Sequence, residues 1–204
     1  PNADRPYNMR GIAYYKQGKF PEAITDYSKA IELQNWYALA NRGIVYQEQG
    51  NKEKAIADFK MSIEKLPDVS DGWYQLAVVY KKDGEYDAAL QHIQKALSMD
   101  TDRPHYHAVY AGLLIQTYKY AEALNQADQI FKIDPQNPDG FILKSTALHS
   151  LKRYDEAVDL ITKGISVYPD NYLMYMIRAL VYDLQGKTAL AAADNEKAKQ
   201  LGTK

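Results

Sequence analysis

Four histidines, His92, His105, His107 and His149, carry the widest chemical repertoire in this sequence, since imidazole can ligate a metal or move a proton near neutral pH. Only His105 and His107 stand close together, and a spacing of i, i+2 does not place two side chains on one helix face. Sequence spacing fixes no carboxylate or thiolate as a co-ligand for this pair, so metal ligation loses to ordinary groove or surface histidine. The 204-residue chain contains no cysteine, which removes thiol nucleophiles, disulfides and thiolate zinc sites. Neither a glycine-rich phosphate loop after a strand nor a Gly-x-Ser-x-Gly elbow occurs. Paired acids such as Asp155 and Glu156 fall where a helix starts, and there the helix dipole favours negative charge without any acid–base task. The chain is therefore expected to be non-enzymatic, with no cofactor and no metal.

Eighteen tyrosines invite the idea of an aromatic platform for bases or sugars. About half of them recur at fixed intervals and belong to packing. Tyr15, Tyr37, Tyr74 and Tyr106 remain as candidates to line a binding face. Nucleic acid is disfavoured as the partner, because 25 basic against 26 acidic residues leave a net charge of -1 and no basic field to neutralise phosphates. A composition 46% hydrophobic and 25% charged is that of a folded chain. No run approaches the ~18 apolar residues of a membrane span, so a soluble chain is expected. It opens on Pro1, which suggests a processed or excised start with any targeting segment removed; a cytoplasmic and an exported location both stay open.

The elements that would position any site are legible as a repeat. Gly11, Gly43, Ala77, Ala111, Ser145 and Ala179 are small residues at intervals of 34, save for a first interval of 32. Three residues on stand Tyr14, Tyr46, Tyr80, Leu114, Leu148 and Tyr182, all large. Twelve residues on from each small residue stands an alanine: Ala23, Ala55, Ala89, Ala123, Ala157 and Ala191. Close approach of two helix backbones needs a small side chain at the crossing and a large one filling the adjoining gap. Apolar residues recur at helical spacing within each unit, as in Ala89, Leu90, Ile93, Ala96 and Leu97. Gly18, Gly50, Gly84 and Gly186 mark turns between two helices, and Pro67, Pro135 and Pro169 close the second, fourth and fifth units.

This pattern resembles the tetratricopeptide repeat family, the second unit most fully with Gly43, Tyr46, Ala55, Phe59 and Pro67. The resemblance covers almost the whole chain. It departs from the family in the first unit, two residues short before Trp36, and in the fourth and fifth, where Ala111 with Leu114 and Ser145 with Leu148 replace Gly and Tyr. We place six repeats in a single array over 1–204, at 4–35, 36–69, 70–103, 104–137, 138–171 and 172–204. The expected fold is all-α, about twelve antiparallel helices. The resemblance implies a right-handed α-α superhelix with the first helix of each repeat lining a concave groove. The last helix, with Asp194, Asn195, Glu196 and Lys197 around an Ala191-Ala192-Ala193 seam, is expected to be a wet-faced cap, with a further helix outside the sequence.

The resemblance also implies which offsets face the groove: 2, 5, 6, 9, 12 and 13 of each repeat. In repeats four to six these positions hold His105, Val109, Ile115, Ile142, Leu143 and Thr146, followed by His149, Leu173, Met176, Ile177 and Leu180. This lining is mostly apolar and is the primary candidate for docking an apolar or amphipathic segment. Ile142, Leu143 and Ile177 have a competing role, packing between adjacent first helices. In repeats one to three the lining is mixed, and the secondary candidates are Asn8, Tyr15, Tyr37, Asn41, Tyr74, Gln75, Lys81 and Lys82. The expected partner is another protein or peptide, with self-association left open. One subfamily grips acidic chaperone tails with a clamp of lysines, asparagines and an arginine. The matching positions here are Asn8, Ile12, Asn41, Asp71 and Gln75, so only Asn41 fits and Asp71 repels. That partner is disfavoured. A second reading is a regulatory or assembly region whose catalytic part lies outside this chain.

Overall fold

The computed structural model describes residues 4–202. It contains twelve helices and, among the described residues, no strand. They are α1 (Asp4–Lys16), α2 (Phe20–Glu32), α3 (Tyr37–Glu48), α4 (Lys52–Lys65), α5 (Ser70–Lys82), α6 (Tyr86–Met99), α7 (Pro104–Gln116), α8 (Tyr120–Ile133), α9 (Pro138–Ser150), α10 (Tyr154–Val167), α11 (Tyr172–Leu184) and α12 (Thr188–Gly202). The chain divides into two compact units, one ending at Thr101 with α1–α6 and one beginning at Asp102 with α7–α12. In each unit a helix packs on the next in sequence, and successive odd-numbered helices also touch one another. Odd helices thus form one layer of a unit and even helices the other.

Each odd helix is closed by a backbone turn in which one residue adopts positive φ. Gly18, Gly50, Gly84 and Gly186 do so at φ between +71° and +77°. The Lys19 amide then donates to the Tyr14 carbonyl at 2.9 Å and the Gly18 amide to Tyr15 at 2.9 Å, satisfying carbonyls the helix end would leave open. Repeats four and five lack the glycine, yet the same closure forms: Tyr118 and Lys152 both sit at φ +61°, with Arg153 donating to the Leu148 carbonyl at 2.9 Å. Packing on both sides of the turn overrides the local penalty for a side chain in the left-handed region. Lys152 is exposed, so Lys152→Gly removes the penalty and little else. A gain of about 0.5–1 kcal/mol in urea unfolding is expected.

The alanine column marks the crossings. Ala23, Ala55, Ala89, Ala123 and Ala157 are fully inaccessible and Ala191 is 1% exposed. Opposite them, a Cβ added at Gly11 would lie 2.7 Å from the Tyr27 ring, and one at Gly43 would lie 2.5 Å from Phe59 Cε1. Tyr27 and Phe59 fill the space that the glycines vacate. In the second unit Phe141, Ile161, Ile165, Met174 and Tyr175 form the corresponding core.

The last helix has the expected wet face, with Asn195, Glu196, Lys197, Lys199 and Gln200 exposed, but its seam is not the expected one. Its buried seam is Ala191, Asp194 and Ala198, while Ala192 and Ala193 are exposed. The reason is period: a seam on a helix recurs every three to four residues, so three adjacent alanines cannot share it. Asp194 is buried because Arg178 from α11 grips it, Nε to Oδ2 at 2.7 Å and Nη2 to Oδ1 at 2.8 Å.

Candidate functional site

All eleven primary candidates lie on α7, α9 and α11, the odd layer of the second unit, and none is fully buried. His105, Leu173, Met176 and Leu180 are exposed. Val109, Ile115, Leu143, Thr146 and His149 are half-buried. Ile142 and Ile177 are half-buried as well and pack against the Phe141–Met174 core, so part of their apolar character serves helix packing. The Thr146 hydroxyl is turned to its own helix, donating to the Ile142 carbonyl at 2.7 Å. Burial pushes the His149 imidazole below its usual pKa, because desolvation disfavours the charged ring.

Leu184, 49% exposed on α11, is an exposed apolar residue that the candidate set omits. It stands at offset 13 of the sixth repeat, and the same offset arithmetic that selects Leu173 reaches it. With Leu173, Met176 and Leu180 it forms one stripe, these four being between 41% and 49% exposed.

The secondary candidates belong to α1, α3 and α5 of the first unit. There Asn41 Nδ2 donates to Asn8 Oδ1 at 3.0 Å, so the two amides bind each other across adjacent odd helices. Tyr37 is 58% exposed and, with Arg5, Asn8, Met9, Gln34, Trp36 and Leu66, lines an open hollow of about 660 Å³. Tyr15, Tyr74, Gln75 and Lys81 are half-buried and Lys82 is exposed. Tyr106 does not line a face at all: it is fully buried, because its place one residue after His105 turns it into the core, and its ring meets His105 edge-on. His107 is likewise buried, with Nδ1 bound to Gln126 Oε1 at 2.8 Å. Among the described residues no group of three His, Cys, Asp or Glu could hold a metal ion.

Ion pairs between the two helices of a repeat are the interaction that sequence reading missed. Arg10 grips Asp26 through two bonds of 2.6 and 2.7 Å, and Arg42 grips Asp58 through two of 2.8 Å. Arg178 with Asp194 is the third case. Each spans 16 residues, and an Arg answered by an Asp at that fixed distance in three repeats was a signal available in the sequence. The pairing raises the Arg42 and Arg178 guanidinium pKa through the hydrogen bonds to their aspartates, so these cations are committed to structure. Arg153 binds Glu156 at 2.6 and 2.7 Å and holds its carboxyl below the usual range, while Asp155 accepts from Gln185 Nε2 at 2.8 Å. Both acids are thus occupied in structural contacts.

A stack of helix hairpins with small residues at every crossing and polar-to-apolar odd helices defines the class of helical-repeat proteins. Models of the tetratricopeptide repeat match residues 5–35 and 36–69, 59–91, and 142–204, and the chain belongs to the tetratricopeptide repeat family. A model of the anaphase-promoting complex, cyclosome, subunit 3 matches 82–164. The small glutamine-rich tetratricopeptide repeat-containing protein 2 of Mycosarcoma maydis is 32% identical over 90 residues, which are 44% of this chain and 26% of that protein. This chain spans at most 36% of the curated relatives it matches. The crystal structure of a tetratricopeptide repeat protein from Parabacteroides merdae shares the fold with a TM-score of 0.82 at 20% identity, over 98% of this chain and 80% of that one. The anaphase-promoting complex hetero-tetramer Cut9-Hcn1 does so with a TM-score of 0.82 at 18% identity, over 96% of this chain and 39% of that one. No helix among the described residues is long and apolar enough to cross a membrane.

Proposed function

We propose that the chain is a non-enzymatic protein-interaction scaffold of six repeats, bounded at 4–35, 36–69, 70–103, 104–137, 138–171 and 172–204. An apolar or amphipathic segment of another protein docks on the odd helices of the last three. The exposed apolar stripe of α11 carries this reading, because the first unit holds Arg5, Asn8 and Lys16 on α1 at offsets where α11 holds Leu173, Met176 and Leu184. Repeat packing does not demand large aliphatics there, and exposed ones on a folded surface mark a contact. The family's members are generally scaffolds, and the Cut9-Hcn1 chain of similar fold belongs to a hetero-tetramer. Acidic chaperone tails fit poorly, since Asn8 and Asn41 bind each other and Asp71 is exposed.

The test is affinity capture with the parent chain and Met176→Glu, followed by titration calorimetry on each captured protein. Met176→Glu is expected to weaken binding by about 2 kcal/mol or more at a desolvated contact. Lys82→Ala should cost less and mainly change the salt dependence. If every captured protein binds Met176→Glu as tightly as the parent, this surface is not the site. One observation favours a second reading: the chain spans 26% of the Mycosarcoma maydis relative, as a regulatory or assembly region of a larger protein would.

A further inference from the structure

We infer that the stripe on α11 receives a single basic amphipathic helix, a statement about the occupant that rests on the groove reading above. The four side chains Leu173, Met176, Leu180 and Leu184 advance by three, four and four residues. That mean is close to the helical period of ~3.6, so the stripe runs straight along α11 for about 16 Å. An extended segment laid along it would present side chains with a period of two to alternate faces and meet the stripe with only half of them. A helix offers apolar ridges at the same spacing as the stripe itself.

Within the second unit, odd helices already pack on one another through apolar side chains. Ile142 of α9 and Ile177 of α11 pack against one shared core where these two odd helices meet. The four exposed positions of the α11 stripe are all apolar, whereas on α9 the residues at the outer offsets are Asp139 and Ser150, and on α7 they are His105 and Gln116.

Area decides against a second copy of this chain. Three leucines and a methionine, each a little under half exposed, present on the order of 350 Å², the size of the largest patch on an ordinary monomer. A stable dimer buries about 800 Å² on each partner. Charge then sets the sign of the occupant. Across offsets 2, 5, 6, 9, 12 and 13 of α7, α9 and α11 there is no Lys or Arg, while Asp139 and Asp183 are both exposed. Arg178 and Lys144, one offset away, are held by Asp194 and Asp128. The complementary helix therefore carries Lys or Arg beside its apolar ridge.

Three labelled synthetic peptides of about five helical turns test this by fluorescence anisotropy and far-ultraviolet circular dichroism. One has leucines at three- and four-residue steps with lysine flanks, the second has glutamate flanks, and the third is the lysine peptide with a central proline. The lysine peptide is expected to bind, gain helix on binding, and bind about tenfold or more tighter than the glutamate peptide at low salt. Leu180→Glu and Leu184→Glu are each expected to weaken it by about 30-fold with an unchanged melting temperature. Equal binding of the proline peptide, still dependent on Leu184, overturns the helical occupant and leaves the groove reading standing. Equal binding of the two flanking charges overturns the basic occupant. A dimer in sedimentation that Leu184→Glu abolishes overturns both in favour of a second copy. Failure of the lysine peptide to bind overturns the inference, and capture dependent on Met176 then judges the groove reading separately.

Discussion

Phe59→Ala is expected to destabilise the protein by about 3–5 kcal/mol, the cost of losing a fully buried aromatic whose site cannot collapse. Phe59 is inaccessible and packs with Ala55, Leu76 and Val79 between α3, α4 and α5. Relaxation is blocked because Gly43 already brings the α3 backbone against the ring, so no side chain stands ready to move in. Gly43→Ala is expected to cost about 1–3 kcal/mol, since its new methyl would sit 2.5 Å from Cε1 and 2.8 Å from Cδ1 of that ring. The double variant tests whether this is one contact. With Phe59 gone the clash is gone, and Gly43→Ala should become neutral or slightly favourable through helix propensity. Urea unfolding of the four proteins measures the cycle, and strict additivity would show that the glycine is retained for some other reason.

Arg42→Ala is expected to cost about 3 kcal/mol, because it strands Asp58, which is 5% exposed, without its partner. Arg42 holds both carboxylate oxygens at 2.8 Å, donates to Ser28 Oγ at 2.8 Å and lies over the Tyr46 ring. We place the cost at the low end of the range for buried pairs because the Arg42 side chain keeps 20% of its surface in water. The pair itself need contribute little net stability. Arg42→Met with Asp58→Leu should therefore recover most of the loss, as an apolar pair of similar volume offsets the desolvation that the ions incur. The contrast is Lys29→Ala, which breaks an exposed pair with Glu32 and should leave the urea midpoint within error. A midpoint for Arg42→Ala equal to that of Lys29→Ala would mean that Asp58 is hydrated.

The helices, their number and the crossing residues were readable from the chain because they depend on local and periodic signals. An alanine recurring at one place in six repeats, and a large residue three positions after each small one, state where backbones approach before any contact is seen. The turn glycines state where odd helices end. Two turns were hidden, since Tyr118 and Lys152 adopt positive φ although their side chains resist it. There the packed helices on either side decide the backbone, and no local preference announces it.

Periodicity along the chain is enough to give the repeat and the helical class, and the family resemblance then names the odd helices as the surface to inspect. How much of each candidate reaches water is set by the packing of helices distant in sequence. Tyr15, Tyr37, Tyr74 and Tyr106 read alike along the chain, yet Tyr37 is 58% exposed and Tyr106 is fully buried, because one step along a helix turns a side chain by about 100°. Asp194 reads as a solvated acid on a polar helix, and Arg178 from the preceding helix makes it a buried one. Ile142 and Ile177 read equally as ligand contacts or as packing between odd helices, and the structure shows that they share their apolar surface with the core. Leu173, Met176, Leu180 and Leu184 share a helical spacing in the sequence, and the neighbouring helices decide that this side of α11 stays uncovered. Exposure is a property of neighbours from distant parts of the chain, and no window of local sequence contains them.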